Sequence, residues 1–108
     1  MSCALTLYAG NSNVIEVQGL QNSVDSTYQN AATVRVTLTD LNGAQLTGET
    51  WPKTLAYVTA SNGNYRATLS HEVDMEIGQR YLYDITAEQS GSVARWRGEV
   101  KAVCRPLV

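Results

Sequence analysis

The chain has no phenylalanine, a single histidine, two cysteines and two prolines in 108 residues. A Ser-His-Asp triad would have to use His71, the lone imidazole. No Gly-x-Ser-x-Gly elbow presents a serine. No glycine-rich loop opens a helix to cradle a nucleotide. Basic residues are also few. Eight Lys and Arg against ten Asp and Glu leave a formal charge of −2, whereas a dedicated nucleic-acid binder is usually basic, so phosphate-led recognition is not expected. No apolar run approaches the roughly 18 residues of a membrane-spanning helix. The opening Met1-Ser2-Cys3-Ala4 lacks a basic and an apolar region, so no secretory signal is expected and synthesis in a host cytoplasm is. Helical periodicity is scarce as well. What remains is 44% hydrophobic residues, enough for one domain with a modest core over residues 1–108.

That core reads as β throughout, because apolar residues recur with period two. Cys3 to Tyr8 is a first strand, and Val14 to Leu20 a second. Gln21 to Asn30 is a polar connection. Val34, Val36 and Leu38 alternate with Arg35, Thr37 and Thr39. Asn42-Gly43 signals a hairpin, and a three-residue loop 41–43 pairs Leu38 with Leu46, which keeps both apolar and leaves Gly43 left-handed. Asn62-Gly63 signals another. A two-residue turn there pairs Ala56 with Leu69 and sets Tyr57 on the wet face. In the last hairpin Tyr81, Tyr83, Ile85 and Ala87 share a face, continued by Ala94, Trp96, Gly98 and Val100. Its register pairs Ile85 with Trp96 and Tyr83 with Gly98, an aromatic ring over a strand glycine. On the wet face Asp84 meets Arg97 and Thr86 meets Arg95. About seven short strands with regular turn signals predict an antiparallel immunoglobulin-like β-sandwich, with a small barrel as the alternative. Gly78-Gln79-Arg80-Tyr81, before the penultimate strand, fits a tyrosine corner, in which the Tyr81 hydroxyl returns to upstream backbone. The other reading makes Tyr81 a plain core residue.

From Ala32 to about Val103 the motifs follow a definite order. They are AATVRVTLTDLNGAQLTGETWPKTLAYV, SNGNYRATL, EIGQRYLYDITAEQSG and ARWRGEV. This order resembles small immunoglobulin-like structural proteins of tailed bacteriophages. The resemblance implies a non-enzymatic virion component without cofactor, decorating the head or serving as a head–tail or tail accessory protein. Its partners would be shell, connector or tail subunits, in a homo-oligomer or symmetric array, with no nucleic acid or membrane. Residues 1–30 carry no such resemblance and are a candidate N-terminal arm. A ligand- or glycan-binding module for surface attachment is the alternative.

Several residues carry candidate chemistry. Trp51-Pro52 marks an edge or loop, where Trp51 either caps the core or anchors an interface. Trp51 and Tyr57 together would make a protein contact or a sugar-stacking platform. Arg95 and Arg97 alternate outward as a charged strip, either solvated or an interface rim. If extended, His71 to Glu76 puts Glu72, Asp74 and Glu76 on one face, which could hold Ca²⁺ but more simply forms a solvated acidic edge. No catalytic, cofactor or metal site is assigned. Cys3 and Cys104 would lie level if the terminal strands ran antiparallel and apart if they ran parallel; with no export signal they are expected as free thiols. Charge is also uneven: Arg35 is the only cation in residues 1–52.

Overall fold

The computed structural model describes residues 2–4, 6–21 and 26–105. Among these the protein is all-β, without a helix. Eight strands follow in chain order: β1 Ser2–Ala4, β2 Leu7–Tyr8, β3 Asn13–Gln18, β4 Thr33–Thr39, β5 Lys53–Tyr57, β6 Tyr65–Leu69, β7 Arg80–Gln89 and β8 Ser92–Val103. They hydrogen-bond in one continuous order, β1-β3-β6-β5-β4-β7-β8-β2. Every neighbouring pair is antiparallel except β2 and β8, which run parallel. The sheet is therefore mixed, where the sequence pattern predicts an antiparallel one. The single first strand predicted over residues 3–8 divides: β1 pairs with β3 and β2 crosses to β8. Asn13 holds the turn between β2 and β3. Its buried amide accepts the Tyr8 N–H at 2.7 Å and donates to Tyr8 O and Asn11 O at 3.1 Å.

The core is built by alternation. Strand β6 buries Tyr65, Ala67 and Leu69 while exposing Arg66 and Thr68. Strand β4 buries Val34, Val36 and Leu38, and β7 contributes Tyr81, Ile85 and Ala87. Ile15, Val17 and Leu20 are fully buried with Leu7. Residues 1–30 thus contribute β1, β2 and β3 and the buried Leu7, Ile15, Val17 and Leu20. Residues 22–25 lie outside the described residues.

Two of the three predicted hairpin registers match. Asp40 N–H bonds to Ala44 O and Leu46 N–H to Leu38 O, so the loop is 41–43 and Gly43 has φ 89°. In the β7–β8 hairpin Ile85 pairs with Trp96 and Tyr83 with Gly98. The ladder runs to Gln89↔Ser92, leaving Ser90-Gly91 as the turn. The Tyr83 ring does lie over Gly98: a Cβ there would meet its hydroxyl at 2.8 Å.

The third register differs. Ala56 pairs with Arg66 and Tyr57 with Tyr65, three positions from the predicted pairing. An odd shift turns every side chain of β5 over. Leu55 is buried, Ala56 is exposed, and Tyr57 packs on the core with its ring 5.5 Å from that of Tyr65. The reason is that Asn62-Gly63 is not the turn centre. Gly63 is clamped between Leu20, whose N–H bonds its carbonyl at 2.9 Å, and Asn30, whose Oδ1 accepts its N–H at 2.8 Å. The glycine serves a close backbone approach, since a Cβ would sit 2.5 Å from Leu20 N and O.

Two further ties hold the loops. The Tyr65 hydroxyl, fully buried, donates to Gln29 O at 2.6 Å and accepts the Ala32 N–H at 2.9 Å. Gly48, at φ 97°, lies against the backbone of Glu72 and Val73, and Asp74 N–H bonds Thr47 O at 2.9 Å.

Candidate interaction surface

The outer face of β4, β7 and β8 is an ordered grid. The registers set Thr37, Asp84 and Arg97 in one row, Arg35, Thr86 and Arg95 in the next, and Thr39, Leu82 and Glu99 on the other side. Asp84 is its centre. Arg95 grips it with two bonds, Nε to Oδ1 at 2.9 Å and Nη2 to Oδ2 at 2.6 Å. Arg97 lies directly opposite but is more distant, with Nε 3.6 Å from Oδ2. The predicted register thus holds, yet the closest ion pair is diagonal, because a long arginine reaches the i, j±2 neighbour. A shallow depression of 370 Å³ opens here, lined by Thr37, Thr39, Leu82, Asp84, Arg97 and Gly98.

The hydrogen bonds from Arg95 hold the Asp84 carboxyl below the ordinary carboxylate range, against a smaller opposing effect of burial. A carboxylate so held is a poor proton acceptor. The face therefore presents a held carboxylate and guanidinium donors. Glu16 is likewise lowered by Gln18 and Arg66, and Glu49 by the backbone N–H groups of Ser70 and Thr50. A folded pKa below the unfolded one stabilises the fold above the unfolded pKa and is lost as pH falls through the folded value. The melting temperature should therefore hold steady down to about pH 5 and fall below about pH 4. Asp84→Asn should flatten part of that acid limb in calorimetry; an unchanged limb would sink the assignment.

The remaining sequence candidates scatter. Trp51 packs on the core and its indole Nε1–H donates to Leu46 O at 2.7 Å; Pro52 beside it is exposed, and their peptide bond is cis. The Tyr57 hydroxyl donates to Ser61 O. Both aromatic polar handles are thus used internally, and Tyr57 is not on the wet face. The Tyr81 hydroxyl accepts the Glu76 N–H at 2.8 Å, five residues upstream. Gly78 has φ 88° and its N–H bonds Ala102 O at 2.8 Å. Trp96 is half-buried on the inner face of β8. Residues 71–76 form a turn rather than a strand; Val73 and Met75 are buried while His71, Glu72, Asp74 and Glu76 are exposed. Among the described residues no group of three such side chains could hold a metal ion.

Cys104 is an exposed free thiol. The side chain of Cys3 lies outside the described residues. Thr37, Thr39 and Leu82 were not singled out from the sequence as site residues. Their alternation is legible there, but only the pairing of β4 with β7 gathers them.

Compared with protein-family models, curated proteins and solved structures, the chain matches none.

Proposed function

We propose that this chain is an immunoglobulin-like β-sandwich serving as a non-enzymatic structural component of a tailed-phage virion. It would act as a head-decorating, head–tail or tail accessory protein, through protein–protein contacts. The observation that carries the sandwich reading is the strand order. Strands β1-β3-β6 and β4-β7-β8-β2 form two runs joined through β5, and the first strand is divided between them. The smallest extent of the fold, 19 Å, suits two layers packed about 10 Å apart. The virion reading rests on the motif order from Ala32 to Val103. Those motif residues are mostly frame: Gly43 turns a hairpin, Trp51 ties to Leu46 and Tyr81 ties to Glu76. They leave the outer face around Asp84, Arg95 and Arg97 free to meet subunits. Trp51 and Tyr57 spend their polar groups on Leu46 O and Ser61 O, which favours this reading over the glycan-binding alternative.

Quantitative mass spectrometry of purified particles from the source phage tests this reading. A copy number near that of the shell protein makes the chain a decoration protein. A few copies per particle place it at the connector, tail or baseplate. Absence from clean particles overturns the proposal.

A further inference from the structure

Strand β8 has one partnered edge and one open edge. Towards β7 its register is unbroken from Gln89↔Ser92 to Arg80↔Lys101. On its other side β2 pairs only with Ala102 and Val103. The hydrogen bonds at the end of the strand fix the backbone directions. Ala102 N–H donates to Gln79 O at 2.9 Å and its carbonyl accepts the Gly78 N–H at 2.8 Å, so Ala102 faces the β7 side. The Val103 carbonyl accepts the Ala9 N–H at 3.1 Å, on the opposite side. Alternation along the strand then aims the N–H and C=O of Val93, Arg95, Arg97 and Glu99 outward. Among the described residues nothing pairs with them.

The side chains around this edge are specific too. Val93 is 66% exposed. Arg95 and Arg97 share the single carboxylate of Asp84, which leaves one positive charge over. On the inner face Ala94 and Trp96 are only partly buried, at the margin of the core.

We infer that β8 takes up an added strand from another protein, an extended segment alternating acidic and apolar residues. Its main chain continues the ladder and supplies affinity, while its alternate side chains supply specificity. The acidic ones meet Arg95 and Arg97 on the outer face. The apolar ones cover Trp96 and Ala94 on the inner face. A second copy of β8 fits less well: antiparallel pairing centred on this edge, about Trp96, sets Arg95 against Arg97 twice, and like charges opposite one another are unfavourable. The inference stands apart from the virion reading.

The test is amide hydrogen exchange by NMR with two synthetic peptides of about eight residues, long enough to span the open edge. One alternates valine and glutamate, the other valine and lysine. The glutamate peptide should slow exchange at Val93, Arg95 and Arg97 by about tenfold or more. It should leave Ala94 and Trp96, already bonded to β7, unchanged. Arg97→Glu, a surface change whose fold is checked in the same spectra, should reverse the preference towards the lysine peptide. Absence of protection with either peptide overturns the inference, as does equal slowing at odd and even positions. Protection without peptide that grows with protein concentration also overturns it, by making a second copy the occupant.

Discussion

Gly48→Ala is expected to destabilise the protein by about 3 kcal/mol. Two costs combine. The position has φ 97°, which an L side chain rarely adopts. The added Cβ would also sit 2.0 Å from Glu72 O and 2.4 Å from Glu72 C. Those atoms are backbone, so no rotamer change relieves the contact; the 47–48 and 72–74 segments must separate, and the Asp74 N–H to Thr47 O bond goes with them. Gly91→Ala is the control. It has φ 82° but nothing within 4 Å of a Cβ, so only the conformational cost of about 1–2 kcal/mol applies. Urea unfolding midpoints of the two variants should differ clearly, with about 4–8 °C of melting temperature per kcal/mol as a second reading. Equal losses would mean that the contact at Gly48 is not maintained.

Tyr65→Ala should be more damaging, at about 4 kcal/mol, because it empties the largest fully buried side-chain position. Tyr65→Phe separates packing from hydrogen bonding. It keeps the ring and removes a hydroxyl that both accepts from Ala32 N–H and donates to Gln29 O. Leaving two backbone groups without that partner should cost about 1–3 kcal/mol. The ring also packs 5.5 Å from Tyr57, so Tyr57→Phe, whose hydroxyl bonds the nearer Ser61, should cost less. Chemical denaturation of the three variants checks the order. A neutral Tyr65→Phe would remove the hydroxyl from the ties between the 29–32 segment and β6.

The contrast between hairpins shows what the sequence makes legible. The β7–β8 register follows from local alternation alone, because Tyr83, Ile85, Trp96 and Gly98 must share a face and the turn joining them is short. The 41–43 loop follows in the same way from keeping Leu38 opposite Leu46. The β5–β6 register does not. There Asn62-Gly63 has the signature of a tight turn, but Gly63 is held by Leu20 and Asn30 from distant parts of the chain. Those residues lie more than thirty positions away in sequence and carry no local mark of the contact. The consequence reaches the site, because the local register puts Tyr57 on the wet face whereas the observed one packs it on the core. Arg95 and Arg97 were legible as outward residues. Their joint hold on Asp84 was only half legible, because the diagonal reach of Arg95 depends on side-chain length and sheet twist rather than on pairing.

The divided first strand has a mechanical consequence. Leu7 and Tyr8 lie parallel to Ala102 and Val103, near opposite ends of the chain. Tension applied through the chain before Leu7 and after Val103 draws these two strands past each other along their length. Their hydrogen bonds are then loaded together, in shear, rather than peeled one after another. Leu7–Tyr8 and Ala102–Val103 act as a clasp against tension applied across that pair.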